Sequence, residues 1–202
     1  MEHRILKSIS VLFHPLIMPL LGVMFYFYKT PRYVDQNLIN AKLISLFILT
    51  VLLPILLFFL LKTLGKVSSI YLKTTNERIV PLALNGVITV LILLRVLPQN
   101  EFIELYYFFI GILMSTIISL VLAFAKFKAS LHLVSISGIF MFFVALSIHF
   151  SINIVKVIAI ICLLTGAIAT SRLHLKAHTY KELIMGFFVG FIPQLILIPN
   201  WL

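Results

Sequence analysis

The sequence is poor in cysteine and in acidic side chains. It has one cysteine, Cys162, and six Asp or Glu residues among 202. A single cysteine excludes an internal disulfide and a thiolate metal cluster. Asp35 is the only aspartate, so the chain offers no compelling carboxylate cage for a metal ion either. We therefore expect no metal site in this chain.

Apolar residues dominate instead. They make up 62% of the chain, and the mean hydropathy is +1.17. Apolar runs of about 20 residues are typical of transmembrane helices. Seven such runs follow one another, at about 9–28, 43–61, 79–97, 102–124, 131–150, 154–170 and 183–197. The sequence thus predicts a single all-α, polytopic membrane helix bundle over residues 1–202, with about seven transmembrane helices and six as the lower count.

The formal net charge is +10, which raises the question of nucleic acid. The basic residues lie at the ends of the apolar runs rather than on one polar face. Membrane topology and anionic lipid headgroups explain this distribution better than nucleic acid does. The expected partner is therefore the lipid bilayer, with no nucleic acid.

The crossing count predicts which polar connections share a side. With seven crossings, the connections after the second, fourth and sixth helices lie on the side of the N-terminus. That side carries eleven of the 16 Lys and Arg residues, so the positive-inside rule favours the cytoplasm for it, in a cell whose cytoplasmic membrane holds the protein. The side that the site faces is otherwise left open. These connections contain the most unusual polar residues of the chain: Lys73, Arg78, Ser130, His132, Arg172, His178 and Glu182.

The segment 171–182 is a basic, histidine-containing patch between two apolar runs. A charged side chain at the centre of a membrane helix costs about 2.5–3.5 kcal/mol on insertion scales, so such a patch lies at an interface or in a polar pocket. Its pattern is Ser171-Arg172, five residues, His178, three residues and then Glu182. This pattern resembles the third signature motif of the type 2 phosphatidic acid phosphatase family, which includes the vanadium haloperoxidases. The family has Asp at the position of Glu182.

Two further blocks resemble the other motifs of that family more loosely. Ala129-Ser130-Leu131-His132 is similar to the second motif, Pro-Ser-Gly-His, and keeps its Ser and His. Lys73 and Arg78 stand where the family has Lys, six residues and Arg-Pro, but only four residues separate them here. The three blocks occur in the family's order, and they place a motif-bearing core at about 62–197.

The resemblance implies a lipid phosphatase that needs no metal and no cofactor. His178 would attack the phosphorus and form a phosphohistidine, Glu182 would hold its tautomer, and His132 would protonate the leaving group. Ser130 and the first backbone N–H groups of the fifth helix would bind phosphate oxygens. Lys73, Arg78 and Arg172 would stabilise the phosphoryl charge. The substrate would be a lipid phosphate or a prenyl diphosphate, with its chains in the apolar bundle.

Other interpretations of these residues remain open. Glu182 alone is more simply explained by the positive N-terminal end of the last helix, and Gly186 and Gly190 by close helix packing. His14, His149 and His174 have no motif partner and are interpreted as structural. Whether the chain is an enzyme is left open: a catalytically inactive family member that binds lipid phosphates or partners, and an unrelated transporter or scaffold protein, are the competing hypotheses.

Overall fold

The computed structural model describes residues 2–69, 72 and 74–202. The described chain is mostly helical and has no strands, which confirms the predicted all-α class. Its eight α-helices, in chain order, are α1 (Glu2–Leu12), α2 (Met18–Lys29), α3 (Gln36–Thr63), α4 (Asn76–Arg95), α5 (Ile103–Phe124), α6 (Leu131–His149), α7 (Val155–His174) and α8 (Tyr180–Leu197).

Six of these helices, α3 to α8, are long and apolar enough to cross a membrane. Large apolar side chains stand exposed along their outer faces, among them Leu56, Leu94, Val121 and Leu163. An apolar surface of this extent belongs against hydrocarbon, and helices satisfy their own backbone groups there. The chain is therefore an integral, multi-pass membrane protein, as the sequence predicted.

The first predicted run, 9–28, does not form one membrane-spanning helix. The helix breaks over residues 13–17, so that α1 ends at Leu12 and α2 begins at Met18. Pro15 lies in the break, where it cannot donate a helical hydrogen bond, and Pro19 lies in the first turn of α2, where no such bond is needed. With 12 residues, α2 is about 18 Å long and shorter than the roughly 30 Å of hydrocarbon.

The second predicted run begins earlier than expected. The polar connection ends at Asp35, whose carboxylate accepts hydrogen bonds from the backbone N–H groups of Asn37 and Leu38 and caps α3. Pro54 lies within α3, and it is preceded by a π-helical turn over Ile48–Leu52. Such a turn adjusts the backbone where proline has removed a donor, so α3 continues across the proline.

The last two helices are also longer than predicted. α7 extends to His174, and α8 begins at Tyr180. Only residues 175–179 connect them, so Arg172 lies on the last turn of a helix rather than in a loop. The connection between α7 and α8 is therefore short, and a helix fixes each of its ends.

α6 is the most buried of the six long helices, and it packs most extensively against α8. Gly186 and Gly190 permit this packing. A Cβ atom at Gly190 would lie 1.9 Å from the carbonyl oxygen of Val134, and one at Gly186 would lie 2.7 Å from that of Ser130. The two glycines therefore have the packing role that their four-residue spacing predicted.

Hydrogen bonds join the connections at each end of the bundle. At the site end, Arg78 at the start of α4 binds the 125–130 connection, which in turn binds the start of α8. At the opposite end, fully buried Glu104 accepts hydrogen bonds from Arg32 and Tyr26, and His149 lies 3.1 Å from it. His149 thus belongs to a structural cluster far from the motif residues, as interpreted from the sequence.

Candidate functional site

His178 and Glu182 form the centre of the site. His178 Nδ1 lies 3.0 Å from Glu182 Oε2, and the His178 side chain is 1% exposed. The same Glu182 oxygen accepts the backbone N–H of Thr179, whose hydroxyl accepts the backbone N–H of Glu182. This reciprocal pair is a capping box. Glu182 therefore fills the helix-terminus role of the alternative interpretation and also contacts the histidine.

The imidazole of His178 is held in its neutral form. Burial lowers the pKa of His178 to about 3, with further lowering by the charges of Arg78, Arg172 and Lys128, against a small opposite effect of the Lys128 backbone carbonyl. A neutral imidazole that donates Nδ1–H to a carboxylate has its lone pair on Nε2. In that tautomer, Nε2 is the ring nitrogen with the chemistry of a base or a nucleophile.

Arg78 is buried at the site end, with 5% of its surface exposed. Its guanidinium donates to the carbonyl oxygen of Ala129 at 2.6 Å and, through Nε, to that of Leu72 at 3.2 Å. These two bonds link the connection before α4 to the connection before α6. Arg78 is therefore fixed by its neighbours, while its charge acts on His178.

Arg172 lies on the last turn of α7 and is also buried, with 6% exposed. The preceding residue anchors α1 at this point. Ser171 Oγ donates to the carbonyl oxygen of Leu6 at 2.7 Å and lies 2.6 Å from Ser10 Oγ. The end of α1 is thereby held beside Arg172, a contact that the sequence analysis did not anticipate.

His132 lies in the first turn of α6 and contacts the same part of α1. Its Nε2 atom lies 3.0 Å from the carbonyl oxygen of Ser10, and its ring meets that of His14 edge-on at 5.6 Å between centroids. Because a carbonyl oxygen only accepts hydrogen bonds, Nε2 of His132 carries a hydrogen and donates it to Ser10. Nδ1 is then the ring nitrogen that is left for another contact. His132 lies close enough to His178 and Arg172 for their charges to act on it.

Ser130 is fully buried beneath these residues. Its hydroxyl has no hydrogen-bond partner among the described residues, whereas its backbone N–H donates to the Glu182 carbonyl at 3.0 Å. The backbone N–H of Ser130 is therefore engaged, and the first N–H groups of α6 at 131–133 are those left for an anion.

Lys73, the remaining candidate, lies outside the described residues. Lys128 is a further cation of the site, beyond those in the three sequence blocks. Burial lowers the pKa of Lys128, and the charges of Arg78 and Arg172 lower it further while Glu182 opposes them. Its position two residues before Ser130, in a basic connection, was the signal that could have identified it.

The motif residues lie at one end of a large cavity that is lined mostly by apolar side chains. The cavity has a volume of about 1000 Å³, and Arg78, Lys128, His132, Arg172 and His178 line its polar end. One face of α4 lines it from Arg78 to Ile92, a distance of about 21 Å for 14 residues. This depth exceeds one leaflet of hydrocarbon, about 15 Å. The arrangement can take an anion at its mouth and an apolar chain inside.

The acidic and thiol side chains of the described residues are not gathered at one point, unlike the basic ones. Within residues 2–69, 72 and 74–202, no group of three or more His, Cys, Asp or Glu side chains is arranged to hold a metal ion. Comparisons of the chain with protein-family models, with curated proteins and with solved structures find no match.

Proposed function

We propose that this protein is a membrane phosphohydrolase that removes phosphate from a lipid phosphate or prenyl diphosphate. One observation carries the proposal: a neutral His178, bound through Nδ1 to Glu182, lies among three cations at the mouth of a cavity lined by apolar side chains. The resemblance of the three sequence blocks to the type 2 phosphatidic acid phosphatase family supports the same assignment.

In the proposed reaction, His178 Nε2 attacks the phosphorus and a P–N bond forms while the P–O bond to the lipid breaks. The leaving oxygen takes its proton from the imidazolium form of His132, through Nδ1, because Nε2–H is bound to the Ser10 carbonyl, and it departs as the lipid alcohol or the lower phosphate. Water then attacks the phosphohistidine, releasing inorganic phosphate and returning the proton. Arg78, Arg172 and Lys128 stabilise the charge on the transferring group.

The excess of basic residues favours a cytoplasmic site in a cytoplasmic membrane. A cysteine introduced at Thr75 in a Cys162→Ser background, treated in intact cells with an impermeant maleimide, tests the orientation. No labelling before permeabilisation and full labelling afterwards is expected, and labelling of intact cells would place the site outside.

The chemistry is tested with purified protein in detergent containing chelator. Phosphatidic acid, phosphatidylglycerol phosphate and a prenyl diphosphate are offered to the wild type, to His178→Ala and to His174→Ala, a control in the same segment. We expect phosphate release that falls by about 10³-fold or more in His178→Ala only. An acid-labile phosphoenzyme should be trapped in the wild type and in His174→Ala but not in His178→Ala.

An inactive lipid-phosphate binder is the second candidate. It is favoured by Leu131, which brings a side chain to a position where the family's glycine lets phosphate approach the backbone. Folded protein that releases no phosphate from any of the three lipids, yet unfolds at a higher temperature when a lipid phosphate is added, would support this candidate and contradict hydrolysis.

A further inference from the structure

Beneath the cationic end, the cavity has a second polar level. Asn85 on α4 and Thr116 and Ser119 on α5 line it, and Asn85 Nδ2 donates to Thr116 Oγ1 at 3.3 Å. Ser119 lies five residues before the end of α5 at Phe124, which is about 7.5 Å along the helix. This level therefore lies one to two turns below the residues that would hold a phosphate.

Ser119 differs from the other hydroxyls of its helix. Ser115 donates to the Gly111 carbonyl, and Thr116 donates to the Ile112 carbonyl, both at 2.8 Å. This bond to the preceding turn is the usual arrangement for Ser and Thr in a membrane helix. Ser119 is 4% exposed, and its hydroxyl has no hydrogen-bond partner among the described residues.

A buried donor without an acceptor is costly in apolar surroundings, by about 1–3 kcal/mol. A ligand that brings an acceptor to this depth would therefore be favoured over one that does not. In a glycerophospholipid, the ester carbonyl oxygens follow the phosphorus by about six bonds, roughly 7 Å when extended at ordinary bond lengths. A prenyl chain has no acceptor at that distance.

We propose that Ser119 donates a hydrogen bond to an ester carbonyl of a glycerolipid phosphate, so that the site selects acyl esters over prenyl and ether-linked lipids. This inference rests on the proposed function, because the phosphate must occupy the His178 end for the ester to reach Ser119. The cations bind the phosphate, and Ser119 distinguishes an ester-linked acyl chain from an ether-linked or prenyl chain.

The test compares a diacylglycerol phosphate with its di-ether analogue of equal chain length. The wild type should prefer the diester by about tenfold in kcat/KM, the effect of one hydrogen bond. Ser119→Ala should lose that preference by slowing on the diester alone. Ser115→Ala, whose hydroxyl is bonded within its own helix and lines the same cavity, should keep it.

Hydrolysis of both lipids at equal rates by the wild type would overturn the inference and leave the proposed function intact. Equal losses on both lipids in Ser119→Ala would do the same. Hydrolysis of a prenyl diphosphate but of neither glycerolipid would overturn the inference and leave the proposed function intact. If the wild type hydrolyses none of the three, the proposed function fails, and the inference is decided by the thermal shift that each glycerolipid produces. A diester preference in binding that Ser119→Ala abolishes would still support it, and equal shifts would overturn it.

Discussion

The Glu182 carboxylate serves its own helix and the neighbouring histidine through one oxygen atom, Oε2, which accepts from Thr179 N at 2.9 Å and lies 3.0 Å from His178 Nδ1. The two roles can be separated by substitution. Glutamine is accepted at this position of a capping box, but it has no negative charge to stabilise a charged imidazole.

Glu182→Gln should therefore lower kcat by about 10²-fold or more while leaving the thermal midpoint nearly unchanged. Glu182→Ala should lose the cap as well, at about 1 kcal/mol of stability. Phosphate release and thermal unfolding in detergent are the two measurements. Full activity in Glu182→Gln would show that the contact with His178 has no part in the reaction.

The stability of the protein should fall in acid because of His178. Its pKa is about 3 in the folded chain, against an ordinary value of 6.5. Between these values the unfolded chain binds a proton there and the folded chain does not, so the free energy of unfolding decreases as the pH falls below about 6.5. The contribution is up to about 1.4 kcal/mol per pH unit.

Thermal unfolding between pH 7 and pH 5 measures this effect. The midpoint should fall more steeply in the wild type than in His178→Asn, which cannot take up the proton. Parallel curves for the two proteins would mean that His178 is not held neutral by the fold.

Close packing of α6 and α8 predicts opposite effects at two glycines. A Cβ at Gly190 would collide with the backbone of Val134 and with Ser137 Oγ, whereas one at Gly166 would meet no described residue within 4 Å. Gly166→Ala should be neutral or stabilise its helix by up to about 1 kcal/mol. Gly190→Ala should lower the thermal midpoint sharply, because the helices must separate. Equal midpoints in the two variants would contradict the packing.

Replacement of Arg78, even by lysine, should lower both the stability of the protein and its affinity for lipid phosphate. Lysine cannot reproduce the two bonds of the guanidinium to the Ala129 and Leu72 carbonyls from a single nitrogen in the same geometry. Arg78→Lys should therefore cost about 1–3 kcal/mol of stability, the cost of a buried group left without its partner, and should raise KM for lipid phosphate. Arg95→Lys, an exposed position on the same helix, is the control and should change neither quantity.

The cluster at the opposite end should affect stability but not activity. Arg32 binds Glu104 through both guanidinium nitrogens, at 2.6 and 3.2 Å, and is itself 45% exposed. Glu104→Gln should cost about 2 kcal/mol, below the 3–5 kcal/mol of a fully buried pair because Arg32 reaches water. Glu101→Gln, which removes an ion pair with Lys42 in which the Glu101 side chain is 41% exposed, should cost less than about 1 kcal/mol. Loss of phosphate release in folded Glu104→Gln would contradict the separation of the two ends.

Much of the fold is determined by the sequence alone, because the bilayer imposes a simple requirement on it. Each long apolar run must be helical to satisfy its backbone in hydrocarbon, so six of the seven predicted runs became membrane-length helices. The spacing of His178 and Glu182 likewise predicted their contact. His178, however, precedes the N-cap residue Thr179, and the capping box rather than a shared helix face brings Glu182 to it. The errors came from local rules that compete with hydropathy: Pro15 divided the first run, and the Asp35 cap began α3 seven residues early.

Tertiary structure alone decided which distant polar groups meet. The Ser10 carbonyl contacts His132 across 122 positions, and Lys128 joins Arg78 and Arg172 near His178. Apolar periodicity does not predict such pairs, because it indicates only which side of a helix meets hydrocarbon. The partners of buried hydroxyls follow the same rule. Ser115 and Ser119 are alike in sequence, and only the packed bundle distinguishes Ser119, whose hydroxyl has no hydrogen-bond partner in the part of the chain that the structure describes.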